Sequence, residues 1–126
     1  MSEPAVKVLL GSGGISTEDR REVYRALVGD HFSECETVLF VPYASDDHDT
    51  YTSRMQDFMG PEGPTLVGIH TFEDERSAVD EADGIYVGGG NSFLLIRDLH
   101  ERGLIGPIRE SCLGGVPYLG VSAGSN

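Results

Sequence analysis

Five short apolar runs divide these 126 residues, and segments with the 3.6-residue period of a helix fill the spaces between them. The runs cover residues 5–10, 37–42 and 65–70, the "GIYV" that leads into glycines 88–90, and the "PYLGV" that leads into Ser122. Such runs, bounded by Gly, Pro and Asp, read as strands buried on both faces. Strands joined through helices lie parallel, because a parallel neighbour is reached only by a crossover. The expected fold is therefore α/β, a mostly parallel sheet with helices on both faces. Ligands of such sheets bind beyond the carboxyl ends of the strands. That directs attention to residues 11–16, 43–49, His70, 88–91 and 122–126.

The helical segments are residues 16–29, 49–59, 73–82, 91–103 and 107–115. In the first, Ser16 and Asp19 fit a capping box, and Val23, Ala26 and Leu27 form an apolar face. In the second, Asp49 is the expected N-cap, and Tyr51, Met55, Phe58 and Met59 form a core stripe. The third is acidic, with Thr71 and Asp74 at its capping positions and Ala78, Val79 and Ala82 inward. The fourth is expected to bury Phe93, Ile96 and Leu99 and to stop at Gly103. Pro107 opens the fifth and Gly114–Gly115 end it.

Charge narrows the function. The formal net charge is −12, and Lys7 is the only lysine. Eight scattered arginines make no basic face, which argues against a nucleic acid or an anionic membrane as partner. No apolar run has membrane-spanning length, and the N-terminus has no signal-peptide pattern, so a cytoplasmic protein is expected. Cys35 and Cys112 lie far apart with no metal-ligand spacing, and read as free, structurally buried thiols.

Two segments carry candidate chemistry. "VGGGNSF" (87–93) places three glycines at a strand end before a helix, where backbone N–H groups can converge on an anion. By itself it fits a phosphate cradle, half an oxyanion hole, or a plain packing turn. "GVSAGSN" (120–126) contains Gly120-Val121-Ser122-Ala123-Gly124, which fits G-x-S-x-G. That pattern sets a serine on a tight strand-to-helix turn as a nucleophile. Together the two segments are more specific. They end two strands of one sheet, and the N–H groups of Gly90 and Ala123 can bind the oxyanion of a tetrahedral intermediate. By contrast, "GSGGIS" lacks the third glycine of a dinucleotide fingerprint and reads as a turn. "SDDHD" (45–49) fits no common metal site and reads as a solvated loop.

"VGGGNSF", "RDLHERGL", "PIRE" and "GVPYLGVSAGSN", with "FVPYA" (40–44) and "GIH" (68–70), resemble the dipeptidase E (aspartyl dipeptidase) family of serine peptidases. The resemblance covers most of residues 37–126; cyanophycinases are more distant relatives. Asn91 and Asn126 favour the dipeptidase branch. The resemblance implies a three-layer α/β fold similar to class I glutamine amidotransferases. It also implies hydrolysis of dipeptides with an N-terminal aspartate, through an acyl-enzyme and without metal or cofactor. On this motif match Ser122 is the nucleophile, Gly90 and Ala123 are the oxyanion-hole donors, and Asn91 is a substrate contact. The chain departs from the family at Val121, often tryptophan, at Ser125, often alanine, and in "GSGG".

A nucleophilic serine needs a base and an acid that orients it. In the family both lie C-terminal to the serine. Residues 1–126 therefore read as the N-terminal part of a single peptidase domain, an incomplete domain ending just after the nucleophile elbow. The histidine and acid are expected on further C-terminal polypeptide of the same protein, and the isolated chain is expected to be inactive. His31, His48, His70 and His100 read as structural or solvated. Two other readings stand beside the peptidase: a non-catalytic binding or regulatory domain on the same fold, and a phosphate-binding domain built on residues 88–90.

Overall fold

A computed structural model describes residues 8–11, 18–61 and 63–121. Among these, five strands form one sheet: β1 (Val8–Gly11), β2 (Thr37–Val41), β3 (Thr65–Gly68), β4 (Ile85–Val87) and β5 (Tyr118–Val121). Their order is β1-β5-β4-β2-β3, and every pairing is parallel. The connections run through α1 (Glu18–His31), α2 (His48–Met59), α3 (Glu75–Asp80), α4 (Ser92–Glu101) and α5 (Ile105–Leu113). The expected α/β class holds.

The chain moves outward from β1 through β2 to β3, then returns through β4 to β5. Right-handed crossovers then put α1 and α2 on one face and α3 to α5 on the other. The two cores follow the two-residue alternation of the strands. Val38, Phe40, Tyr86 and Leu119 pack with Val28 of α1, Met59 of α2 and Phe32. Leu39, Val41, Ile85 and Val87 pack with Val79 of α3, Leu95 and Leu99 of α4 and Ile108 of α5. The central strands β2 and β4 are thus apolar on both faces, which is why they read as unbroken apolar runs.

Several local expectations change. The first strand begins, within the described residues, at Val8 and continues to Gly11; residues 5–7 and the Ser16 end of the capping box lie outside them. The third strand stops at Gly68, and Ile69–Thr71 form a 3-10 turn. The inward face of α1 is Tyr24 and Val28, continued by Phe32; Val23 is 60% and Leu27 52% exposed, and Ala26 is exposed too. Tyr24 belongs inside because its hydroxyl hydrogen-bonds that of Tyr86 across the core. In α4 the inward residues are Leu95 and Leu99, whereas Phe93 is 86% and Ile96 58% exposed. Asp47, not Asp49, caps α2, accepting from the Thr50 N–H, and Asp74 caps α3. Thr71 instead donates its hydroxyl to the Gly68 carbonyl. α5 begins at Ile105, two residues ahead of Pro107. Gly103 ends α4 as expected, with the Leu104 N–H closing back onto the Leu99 carbonyl. Among the described residues neither cysteine forms a disulfide, and both are half-buried rather than buried; the Cys35 thiol donates to the Asp83 carbonyl.

Candidate functional site

The path of the chain opens a crevice at the carboxyl edge of the sheet. β2 and β4 are neighbours, yet β2 leads into α2 on one face and β4 into α4 on the other. Loops that diverge in this way leave a gap at the switch point, where ligands of open α/β sheets bind. A cleft of about 770 Å³ lies there. Ala44, Ser45 and Asp46 after β2 line it, as do Gly89, Gly90 and Asn91 after β4. Tyr51, Arg54, Met55 and Phe58 of α2 line it too, with Arg21 of α1 and Leu94 of α4.

The glycine loop is fastened at three points. The Gly88 N–H donates to the Val41 carbonyl at 3.1 Å, and the Asn91 N–H to the Ala44 carbonyl at 2.9 Å. The Tyr51 hydroxyl donates to the Gly89 carbonyl at 2.7 Å. Among the described residues, the amides of Gly89 and Gly90 donate to no acceptor. Gly90 has φ +149°, and a Cβ there would lie 2.8 Å from the Ala44 carbonyl oxygen. The loop therefore needs glycine at that position both for its backbone angle and for its close approach to residue 44.

Asn91 holds the mouth of the next helix. Its Oδ1 accepts from the N–H groups of Phe93 at 2.9 Å and Leu94 at 3.2 Å, capping α4. Those two amides are therefore engaged. Among the described residues, the donors of residues 88–91 that meet no acceptor are the Gly89 and Gly90 N–H groups and the Asn91 Nδ2.

β4 pairs with β5 in register, Val87 opposite Gly120. The glycine loop thus follows a strand that is the direct neighbour of β5. Ser122, Ala123 and Asn126 lie outside the described residues. The last described residue, Val121, belongs to β5.

The four histidines all sit elsewhere. His31 donates its Nε2–H to the Tyr118 carbonyl at 2.8 Å, where β5 begins, at the opposite edge of the sheet. His100 lies in the last turn of α4, roughly 13 Å along the helix from Asn91 at 1.5 Å per residue. His70 follows β3, three strand positions from β5, roughly 14 Å at the usual strand spacing. Its Nε2 is held by Asp49 Oδ1 at 2.7 Å, and its Nδ1 is buried against Gly68. His48 stacks edge-on with Tyr43 and His70, with ring centroids 4.9 and 5.6 Å apart. Each therefore has a place of its own away from the end of β5.

Sequence reasoning assigned Tyr51, Met55 and Phe58 to the core, and they do pack against it. It missed that the same helix face also walls the cleft and brings Arg54 with it, one turn beyond Tyr51. The Arg54 guanidinium lies 5.8 Å from the Tyr51 ring centroid. Burial pushes the Tyr51 hydroxyl up to about 12, with nearby Tyr24 adding to the rise and Arg54 opposing it. Tyr51 is thus an O–H donor throughout the neutral range. The described residues contain no cluster of His, Cys, Asp and Glu that could hold a metal. No described helix is long and apolar enough to cross a membrane.

The family model of peptidase family S51 matches residues 8–126. The "Probable alpha-aspartyl dipeptidase" of Drosophila melanogaster is 45% identical over 122 residues, 94% of this chain and 51% of that protein. Peptidase E of Streptomyces coelicolor is 46% identical over 89 residues, 71% of this chain and 37% of the other. Among solved structures, a Listeria monocytogenes protein described as a peptidase E superposes with a TM-score of 0.64 at 27% identity. That match covers 95% of this chain and 60% of the other. A peptidase from an acI-B1 actinobacterium shares the fold, with a TM-score of 0.62 at 20% identity, over 93% of this chain and 54% of its own. The chain spans about half the length of the Drosophila relative and less of the Streptomyces one.

Proposed function

The chain belongs to peptidase family S51, and from that premise we propose that it supplies the nucleophile and oxyanion hole of a serine peptidase acting on dipeptides with an N-terminal aspartate. Ser122 Oγ attacks the scissile carbonyl. A histidine on polypeptide beyond these 126 residues takes the hydroxyl proton and returns it to the leaving amine. The carbonyl oxygen, now carrying negative charge, is held by the N–H groups of Gly90 and Ala123. Expulsion of the amine leaves an ester on Ser122, which water hydrolyses through the same steps in reverse order. No metal or organic cofactor takes part in this scheme.

The observation that carries the reading is the Gly90 amide. Gly90 lines the cleft at the end of β4, beside β5, and its N–H has no acceptor among the described residues. The placement of the four histidines supports a base from outside the chain. So does the length of the relatives, one of which carries the alpha-aspartyl dipeptidase name. Asn91 contributes through the free Nδ2, since its Oδ1 is engaged in capping α4.

The test is hydrolysis of aspartyl dipeptides by the full-length protein and its Ser122→Ala variant. Loss of the nucleophile should lower turnover by several orders of magnitude with the fold intact. Near-normal turnover would remove the assignment and favour a non-catalytic binding domain on the same fold.

A further inference from the structure

The peptide unit joining Gly89 to Gly90 has two ends, and only one is engaged by the protein. Its carbonyl accepts from the Tyr51 hydroxyl at 2.7 Å. Its N–H, that of Gly90, has no acceptor among the described residues. In a trans peptide the C=O and N–H point in opposite directions across a rigid plane, and the described chain has no cis peptide. Fixing where the carbonyl points therefore fixes where the N–H points. Tyr51 stands on α2, which follows β2, on one flank of β4; β5 lies on the other flank.

We propose that Tyr51 is a positioning residue for the oxyanion hole: by holding the Gly89 carbonyl toward α2 it turns the Gly90 N–H away from α2, and it polarises that N–H. This rests on the reading of Gly90 as an oxyanion donor.

The surroundings of Tyr51 suit the role. Its ring stands edge-on to the fully buried Phe40, with centroids 5.1 Å apart, so the hydroxyl cannot swing freely. Gly88 is bare beneath it, because a Cβ there would come within 2.6 Å of the Tyr51 oxygen. A glycine-rich turn would otherwise be free to rotate this peptide plane by coupled changes in the dihedral angles on either side. A donor on the carbonyl also withdraws density from the amide, which strengthens the N–H at the other end. The hydroxyl touches no reacting atom in this account and acts only through the peptide it holds.

The experiment compares full-length wild type, Tyr51→Phe, Ser122→Ala, and a protein with 4-aminophenylalanine at position 51. Deleting one oxyanion donor costs about 10²–10³ in rate, and misaiming one should cost less, on the order of tenfold to a hundredfold in kcat. KM for an aspartyl dipeptide should stay within about twofold, because the donor strengthens mainly in the transition state. A peptidyl boronate, whose tetrahedral oxygen occupies the hole, should weaken by the same factor as kcat. A reduced-amide dipeptide, which has no carbonyl to polarise, should bind as before. The aminophenylalanine protein restores a donor in the same place and should recover kcat to within about threefold of wild type.

A purely structural tyrosine would lose kcat and both ligands together, or neither, and that outcome overturns the proposal. So does Tyr51→Phe with unchanged kcat alongside an inactive Ser122→Ala, which leaves the nucleophile standing. Retained hydrolysis in Ser122→Ala would instead overturn the reading on which the proposal rests.

Discussion

Gly88→Ala perturbs the glycine loop without touching its hydrogen bonds directly. Gly88 has no positive φ, so an alanine meets no backbone penalty and the effect is steric. Its Cβ would lie 2.6 Å from Tyr51 Oη, 2.8 Å from Phe40 Cζ and 2.9 Å from Tyr51 Cζ. Phe40 is fully buried in β2 and cannot yield, so Tyr51 must retreat by about 0.8 Å to reach ordinary contact. That movement stretches its bond to the Gly89 carbonyl from 2.7 Å toward the limit of a hydrogen bond. Overpacking a tight site costs about 1–3 kcal/mol, and the weakened bond adds up to about 1 kcal/mol. The expected loss is about 3 kcal/mol, which at a urea slope of about 2 kcal/mol/M lowers the unfolding midpoint by roughly 1.5 M. Urea unfolding of wild type, Gly88→Ala, Tyr51→Phe and the double variant measures it. Removing the hydroxyl clears the nearest clash, so the alanine should cost at least about 1 kcal/mol less in the Phe background. A Gly88→Ala variant within about 0.5 kcal/mol of wild type, or one whose cost is the same in both backgrounds, would refute the argument.

Two further outcomes are expected. Asn91→Ala should lose about 1 kcal/mol of stability with the α4 cap, whereas Asn91→Asp keeps the capping oxygen and stability but loses Nδ2; a raised KM in the Asp variant, read by steady-state kinetics, reports the substrate contact. The Asp47 carboxyl is held below its ordinary 3.8 chiefly by the Thr50 hydroxyl, and that of Asp74 chiefly by the Ser77 N–H. A carboxyl depressed in the folded state stabilises above its unfolded value, and that contribution vanishes as pH falls through the folded one. Acid unfolding should therefore steepen below pH 3.8 and flatten in an Asp47→Asn/Asp74→Asn variant.

The alternation of apolar and amphipathic segments was enough to specify the sheet, because β2 and β4 are buried on both faces and nothing else explains unbroken runs such as "VLFV" and "GIYV". Helix faces were less legible. α1 carries two apolar stripes, and the pattern favoured Val23 and Leu27, yet the sheet takes Tyr24 and Val28. A tyrosine counts as half-polar in a pattern, and only the partner hydroxyl of Tyr86, 62 residues away, makes its burial favourable. In α4 the run "FLLI" is apolar all round, so periodicity had nothing to choose between Leu95 and Ile96. The glycines and Asn91 were legible as motif positions because their chemistry is local. Tyr51 and Arg54 were not, since their place in the cleft depends on α2 crossing beside a loop that follows a different strand. The histidines read as structural or solvated from sequence, and the structure adds the hydrogen bonds of His31 and His70 and the ring contacts of His48.

The account turns on Ser122 as nucleophile, and covalent labelling tests it most directly. The full-length protein is incubated with a fluorophosphonate, digested, and the modified peptide sequenced by mass spectrometry while aspartyl-dipeptide hydrolysis is followed in parallel. The account predicts a single adduct on Ser122, formed in step with loss of hydrolysis, and none in the Ser122→Ala variant. Hydrolysis that is lost while the adduct sits on another residue, or that persists after Ser122 is fully modified, would contradict it.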